Sequence, residues 1–208
     1  MDIQALKQIL QENGIVGAGG AGFPTYAKLD QRAEVILMNC AECEPLLKLH
    51  RQLLEQRAKE ILQTFDVIAQ TVGAKEAVIG IKKEYKAALK AIDRYIDFYP
   101  RMRVQLLDSA YPMGDEVVLI YEATGRVIRP GGLPIEEGVA VFNVETVYNI
   151  YRALELGTPV VDKLVTVVGE VERPVTVRVP IGAAISSVVA YGGEITAKNP
   201  AFLIGGPM

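Results

Sequence analysis

Metal-ligating side chains are scarce in this sequence of 208 residues, which has one histidine and two cysteines. A zinc site or an iron–sulfur cluster usually takes four protein ligands, so one chain cannot complete a common site of either kind, and we predict no metal site. The two cysteines form a lone C-x-x-C motif, Cys40 and Cys43, and the acidic neighbours Glu42 and Glu44 disfavour a thiolate. Reduced, non-catalytic cysteines are therefore favoured over a redox pair, although both interpretations stay open.

Excess positive charge and long apolar runs are also absent. The formal net charge is −3 and no basic stretch stands out, which argues against a nucleic-acid partner. No apolar run reaches the roughly 18 residues that a transmembrane helix needs. The opening residues 1–4 lack the features of a signal peptide. We therefore expect a soluble, cytoplasmic protein whose length suits one large domain or one domain with a small satellite.

Glycine, in contrast, is concentrated in residues 14–25, GIVGAGGAGFPT. Backbone of this composition adopts positive φ values easily and lets a ligand approach main-chain N–H groups. Such a loop followed by a helix commonly binds an anion, most often a phosphate. Phe23 adds a flat apolar face, and Pro24 fixes the exit from the loop.

The string Gly17-x-Gly19-x-x-Gly22 also matches the dinucleotide-binding fingerprint. That fingerprint requires a strand before it and a helix opening from its last glycine. Residues 3–10 instead have apolar side chains at helical spacing. The common Rossmann arrangement is therefore disfavoured, and we favour a phosphate loop of another architecture, with a plain glycine-rich turn as an alternative.

Strands and helices are predicted to alternate after this loop. Uniformly apolar runs predict buried strands at 34–39, 77–81, 103–107 and 138–143, and amphipathic patterns predict helices at 49–72, 85–98, 117–123 and 144–156. This order indicates an α/β fold with a mostly parallel sheet. Ligands bind at the carboxyl ends of such strands, where the tips after residues 39, 107 and 142 are polar or small. The single histidine, His50, lies at the start of a helical pattern and is predicted to be a surface or capping residue.

The character of the sequence changes near residue 158. Runs rich in β-branched residues at 163–169 and 175–179 predict a hairpin, and a short helix at 185–191 and a strand at 201–204 are predicted after it. We therefore predict an α/β domain at 1–158 and a small β-grasp domain at 159–208. Because the sequence stops directly after a predicted strand, we expect it to be part of a longer chain.

Three ordered motifs resemble one known family. Residues 17–25 (GAGGAGFPT), 39–45 (NCAECEP) and 111–116 (YPMGDE) are similar to the flavin-carrying subunit of respiratory complex I and its relatives. The second and third motifs are most similar to the RnfC and PduS-type cobalamin reductase branch. Residues 165–208 resemble the soluble-ligand-binding β-grasp module of the same family, so the resemblance covers nearly the whole chain.

The resemblance implies a Rossmann-like layered domain with non-covalently bound FMN that NADH reduces. The flavin carries the hydride transfer, so no protein residue is predicted to be catalytic. Backbone N–H groups and Lys28 suit the phosphate, Glu42 and Glu44 suit ribityl or ribose hydroxyls, and Phe23 falls where the family stacks an aromatic ring on the dinucleotide. The residues that match cofactor-binding positions are Gly17, Gly19, Gly20, Ala21, Gly22, Phe23, Lys28, Asn39, Glu42, Glu44, Tyr111, Gly114, Asp115, Glu116 and Asn143.

The resemblance also implies partners. Electrons are expected to pass to a corrinoid or a similar acceptor, with 4Fe-4S clusters expected only in a ferredoxin-like region beyond residue 208. The alternatives are an RnfC-like subunit of a membrane-associated electron transport complex and a non-catalytic ligand-binding or assembly module. Association with a membrane complex or a bacterial microcompartment would follow from these relatives. Ala18 stands where the complex I pattern has arginine, and Phe142 where relatives often have a second asparagine.

Overall fold

The computed structural model describes residues 1–205, so the last three residues of the predicted β-grasp domain lie outside the described range. Its central sheet is parallel and has the strand order β3-β2-β1-β4. The predicted α/β fold with a mostly parallel sheet is confirmed. The four strands are β1 (Val35–Asn39), β2 (Glu76–Lys82), β3 (Met102–Leu107) and β4 (Val139–Asn143).

Five helices precede, connect or follow these strands: α1 (Ile3–Glu12), α2 (Leu49–Val72), α3 (Lys86–Asp93), α4 (Glu116–Thr124) and α5 (Val144–Leu156). The helix predicted at 85–98 is shorter than expected. It ends at Asp93, and a 3-10 turn follows at Ile96–Phe98, where the Tyr99 N–H bonds to the Ile96 carbonyl and turns the chain towards β3. None of the helices within residues 1–205 has both the length and the apolar character needed to cross a bilayer.

Both faces of β1, β2 and β4 are buried, which explains why these strands are mostly apolar. Ile36 and Met38 of β1 pack in a core with α1, α2, α3 and α5. Leu37, which points to the opposite face, packs in a second core with Leu119 and Ile120 of α4. The architecture therefore has three layers: α1, α2, α3 and α5 cover one face of the sheet, and α4 covers the other.

The strand order places a switch point between β1 and β4. β1, β2 and β3 build the sheet outward in one direction, and the chain then returns to add β4 on the other side of β1. The helices that follow β1 and β4, α2 and α5, pack on one face of the sheet, whereas α4, which leads into β4, packs on the other face. A crevice at this point is the usual ligand site of open parallel sheets.

The C-terminal segment begins with the predicted hairpin, formed by β5 (Asp162–Val167) and β6 (Val175–Pro180), and continues into α6 (Ile185–Val189). The strand predicted at 201–204 is wrong, because those residues form no strand and their large apolar side chains are exposed. An apolar run needs a partner strand for its backbone groups, and the hairpin does not extend to it. The β-grasp assignment and the boundary at residue 158 stay predictions.

Charged contacts fasten the hairpin to the α/β layer. The Arg152 guanidinium at the end of α5 donates two hydrogen bonds, of 2.7 and 2.8 Å, to the Asp162 carboxylate at the start of β5. The neighbouring Lys163 ammonium donates to the Ala18 carbonyl at 2.9 Å and to the carboxylate of the buried Glu145. The glycine loop is therefore in direct contact with the C-terminal segment.

Candidate functional site

The glycine loop is closed at its neck by backbone pairing. Val16 and Pro24 form an isolated β-bridge, and the Gly17 N–H donates to the Phe23 carbonyl at 2.8 Å. The loop follows α1 and leads into a 3-10 helix, Thr25–Lys28. The strand that a Rossmann fingerprint requires before its glycines is thus replaced by a helix, as the sequence pattern predicted.

The tip of the loop presents backbone donors. The N–H groups of Gly19, Gly20, Ala21 and Gly22 meet no protein acceptor in good geometry within residues 1–205. Gly22 has φ 71°, a conformation that favours glycine. On the other side, the Ala18 N–H is held by the Thr146 hydroxyl at 2.9 Å. A loop anchored at residues 17 and 18 with unpaired donors beyond them is suited to bind an anion.

This loop forms one wall of a cavity of about 280 Å³ at the switch point between β1 and β4. The volume is close to the lower end of the roughly 300–1,000 Å³ typical of small-ligand sites. Eleven of the fifteen predicted cofactor-binding residues line it. They are Gly17, Gly19, Gly20, Ala21, Gly22, Phe23, Lys28, Asn39, Gly114, Glu116 and Asn143.

Lys28 is the single cation among the described lining residues. Its ammonium donates to the Val141 carbonyl at 2.9 Å and pairs with the Glu116 carboxylate at 3.3 Å. It also lies 5.8 Å from the centroid of the Phe23 ring, whose surface is half exposed. The backbone contact fixes the position of the charge, whereas the partly exposed Glu116 is a partner that an anionic ligand can replace.

Asn39 joins two of the motifs that were separate in the sequence. Its Nδ2 donates to the Gly114 carbonyl at 2.8 Å, and its Oδ1 accepts from the Ala41 N–H at 3.0 Å. The backbone at Gly114 is so close that an added Cβ would lie 2.0 Å from the Ala41 carbonyl oxygen. Glycine is therefore required at 114 for residues 39–45 and 111–116 to pack together.

Asn143 occupies the matching position at the end of β4. Its Oδ1 caps α5 by accepting from the Glu145 N–H at 2.8 Å, and its Nδ2 lies 3.0 Å from the Nε2 of His50. The loop packs directly on this side chain, because a Cβ added at Gly19 would lie 2.4 Å from the Asn143 Nδ2.

The prediction that His50 lies on the surface is wrong. Its side chain is only 15 % exposed, and burial lowers its pKa to about 3. Its backbone N–H does make a contact at the start of α2, donating to the Glu42 carboxylate at 3.0 Å. Sequence reasoning missed the imidazole contact because Asn143 lies 93 residues further along the chain.

Four predicted site residues, Glu42, Glu44, Tyr111 and Asp115, do not line the cavity. Asp115 caps α4, where its Oδ1 accepts from the N–H groups of Val117 and Val118 at 3.0 and 3.1 Å. Glu42 is buried behind the cavity, and burial raises the pKa of its carboxyl. Tyr111 is 64 % exposed. The predicted cofactor contacts of these four residues stay predictions.

Four residues that line the cavity were not predicted from the sequence: Thr25, Val141, Phe142 and Thr146. Thr25 ends the glycine loop, and Val141 and Phe142 precede the predicted strand tip at Asn143. Thr146 lies one helical turn after that tip, so the spacing Asn-x-x-Thr at the start of α5 was the available signal. Besides lining the cavity, its hydroxyl accepts a hydrogen bond from the Ala18 N–H and so anchors the glycine loop.

The two cysteines are free thiols beside this site. Cys40 is completely buried, and burial raises the pKa of its thiol. Cys43 packs against Gly114, where an added Cβ would lie 2.8 Å from the cysteine Sγ. A buried thiol with a raised pKa is a poor nucleophile, which favours the non-catalytic interpretation. Within residues 1–205, no three His, Cys, Asp or Glu side chains are grouped as metal ligands.

Comparison with known proteins assigns the family. Residues 10–152 match the family described as the Nuo51 FMN-binding domain. The chain belongs to this family. The matched segment includes the glycine loop, Lys28 and both asparagines at the strand ends. The resemblance to flavin-carrying subunits that was drawn from three short motifs is confirmed.

Individual relatives define the branch. The chain is 43 % identical to cobalamin reductase PduS of Salmonella typhimurium over 98 % of its length. It is 33 % identical over its whole length to a subunit of the Na(+)-translocating ferredoxin:NAD(+) oxidoreductase complex of Acetobacterium woodii. These alignments cover 45 % and 48 % of the two relatives. The chain thus spans about half the length of the curated relatives it matches.

A solved structure extends the comparison to the fold. An NAD+-reducing NiFe-hydrogenase in the H2-reduced state superposes with a TM-score of 0.78 and 26 % sequence identity. The superposition covers 92 % of this chain and 39 % of the hydrogenase chain. The fold class predicted from the strand and helix pattern is therefore shared with a known redox protein.

Proposed function

We propose that the chain is the flavin-binding module of an electron-transfer flavoprotein, holding FMN in the cavity and receiving the hydride of NADH. The observation that carries the proposal is the glycine loop. Four of its N–H groups lack protein acceptors within residues 1–205 and line the same cavity as Lys28, at the switch point of the sheet. The phosphate, the ribityl chain and the flavin ring of FMN each need different contacts from this cavity.

The phosphate end of FMN suits the loop. Backbone N–H groups and one fixed ammonium are the donors that a phosphate prefers. Lys28 is held in place by the Val141 carbonyl, so its charge is positioned before a ligand binds. Ala18, where the complex I pattern has arginine, contributes its backbone to Thr146 and Lys163 instead. The phosphate would therefore depend on Lys28 and on main-chain donors.

The remaining walls suit the ribityl chain and the ring. Asn39 and Asn143 have amide groups at the two strand ends, and an amide can serve hydroxyls as donor and acceptor together. Phe23 adds apolar surface, and half of its ring is free to contact an aromatic ligand. These residues thus fit an amphipathic ligand with one anionic end.

When bound, FMN supplies an acceptor for the hydride of NADH and can afterwards release electrons one at a time. The residues of this chain bind and orient it. The PduS relative, at 43 % identity, favours a corrinoid as the final acceptor over the membrane complex of the relative at 33 % identity. A cytoplasmic protein associated with a microcompartment or a membrane complex is consistent with both relatives.

Flavin binding and NADH oxidation can be tested separately. Titration of the protein with FMN, followed by quenching of flavin fluorescence, should show saturable binding. Anaerobic addition of NADH to the complex should then bleach the absorption of the oxidised flavin. Binding without bleaching would remove the NADH step and leave a flavin carrier. Loss of both signals would contradict the proposal and favour the non-catalytic ligand-binding or assembly module.

A further inference from the structure

We propose that His50 is a positioning residue of this cavity, a neutral imidazole whose Nε2 lone pair holds the side-chain amide of Asn143. The contact itself, 3.0 Å between Asn143 Nδ2 and His50 Nε2, is independent of any ligand. Its consequence for flavin binding rests on the proposed function. The cavity wall would then be oriented by a residue that does not line it.

The orientation of the Asn143 amide is fixed from its other end. Its oxygen accepts from the Glu145 N–H at 2.8 Å as the cap of α5. An N–H donor requires the oxygen there, so the NH2 group must face His50. A flipped amide would place two donors together at Glu145 and leave the first turn of α5 without its cap.

The amide orientation in turn selects the state of the histidine. The NH2 group of Asn143 has only protons to offer, so Nε2 must present its lone pair. The ring proton then resides on Nδ1, and a second proton on Nε2 would break the contact. The tautomer is therefore determined by the helix cap, through Asn143.

The surroundings of the ring agree with a neutral imidazole. Its side chain is 15 % exposed, and burial followed by the nearby positive charge of Lys163 lowers its pKa to about 3. Glu42 is the acidic group on the other side. Its Oε1 lies 3.9 Å from Nδ1, too far for a direct hydrogen bond, and burial raises the pKa of that carboxyl. Among the described residues, His50 Nδ1 and Glu42 Oε2 are both buried without a hydrogen-bond partner.

The effect reaches the glycine loop through packing. A Cβ added at Gly19 would lie 2.4 Å from Asn143 Nδ2, so the loop backbone rests on the same atom that His50 holds. A rotation of the Asn143 side chain would therefore displace the loop or collide with it. His50 supports both, from behind the cavity. This support comes from the imidazole. The hydrogen bond from the His50 backbone N–H to Glu42 does not require a histidine at position 50.

The tautomer can be read directly because His50 is the only histidine. Long-range proton–nitrogen NMR of histidine-labelled protein gives one pair of ring nitrogens, with no assignment needed. We expect the Nδ1–H tautomer and no change in either nitrogen between pH 8 and pH 5. An Nε2–H tautomer, or titration near the ordinary value of about 6.5, would overturn the proposal. This measurement needs no FMN.

The consequence for the cavity is tested with two variants. In His50→Gln, the side-chain carbonyl can accept from Asn143 near the position of Nε2, whereas His50→Leu fills the space without an acceptor. Loss of the acceptor for the Asn143 amide should weaken FMN binding roughly tenfold in the leucine variant, and the glutamine variant should remain within about threefold of the wild type. Equal affinities in the two variants would contradict the positioning role. Absence of FMN binding by the wild type would contradict the proposed function instead, and the NMR result would still decide the tautomer.

Discussion

Asn39 and Asn143 are register partners at the carboxyl ends of the adjacent parallel strands β1 and β4. Each side chain holds a different wall of the cavity, because Asn39 bonds to Gly114 and Asn143 bonds to His50. An amide has two protons and two lone pairs, so both asparagines keep capacity for a ligand. The two asparagines therefore lie at the carboxyl edge of the sheet, line the cavity and bind Gly114 and His50, respectively.

Replacing Gly19 by alanine should weaken FMN binding without unfolding the protein. The added Cβ would lie 2.4 Å from Asn143 Nδ2, so the amide or the loop must move. We expect a loss of about 1–3 kcal/mol of binding free energy, which titration with FMN would measure. Gly20→Ala is the matched control, since nothing lies within 4 Å of its Cβ. Equal affinities of the two variants would show that Gly19 does not position the loop.

Replacing Lys28 by alanine should also weaken FMN binding, because the variant loses the one cation of the described cavity lining. The expected cost is about 1–3 kcal/mol if the ammonium makes a charge-assisted hydrogen bond to the phosphate. Lys75→Ala serves as control, because Lys75 is exposed and pairs with Glu34 away from the cavity. Riboflavin, which lacks the phosphate, should bind the wild type and the Lys28 variant equally. An unchanged affinity for FMN would place the phosphate elsewhere.

The ion pair between Arg152 and Asp162 should contribute more to stability than an exposed pair. Both side chains are largely buried, with 8 % and 19 % exposed, so Asp162→Asn leaves a desolvated guanidinium with weaker acceptors. We expect a loss of about 1–3 kcal/mol in the free energy of unfolding, measured with urea. Glu76→Gln, which breaks the more exposed pair with Arg103, should cost less than about 1 kcal/mol. Similar losses would show that burial does not distinguish the pairs.

His50, whose side chain is largely buried, should make folding stability fall with acid. The pKa of His50 is about 3 in the fold and about 6.5 in the unfolded chain, so below pH 6.5 only the unfolded chain binds the extra proton. Stability from this group is present above pH 6.5 and is lost as pH falls towards 3. Between pH 7 and pH 5 the wild type should lose up to about 2 kcal/mol more than His50→Gln. If the two proteins lose the same unfolding free energy between pH 7 and pH 5, the prediction is wrong and the ring is accessible to water.

The sequence predicted the sheet and most helices because its periodic patterns match buried faces. Ile36 and Leu37 alternate between two cores, and both are buried, so β1 is a continuous apolar run. The same reasoning failed at residues 201–204, where an equally apolar run has no partner strand within the described residues. A pattern reports the preference of a segment, whereas a strand also needs a neighbour to accept its hydrogen bonds.

Three sequence motifs predicted most of the residues that line the cavity. They did not predict the residues that hold those lining residues in place. Gly19 and Asn143 could be placed at a site, but their contact depends on how the loop crosses the sheet. The role of His50 is not visible in the sequence because a histidine near the start of a helix has no pattern of its own. Asp115 is a predicted ligand although its position before α4 marks it as a helix cap. Short motifs therefore identified the walls and left the reasons for their positions to the structure.

Lys163 sets a limit on how the chain can be divided. Its ammonium reaches from β5 to the Ala18 carbonyl and to Glu145, so the hairpin holds the rear of the loop whose front faces the cavity. A protein shortened at residue 158 would keep every lining residue and lose this support, leaving the buried Glu145 carboxylate without its lysine. The smallest segment that preserves the shape of the ligand cavity is therefore expected to extend past the predicted boundary at residue 158 to include Lys163, although no described residue after 158 lines the cavity.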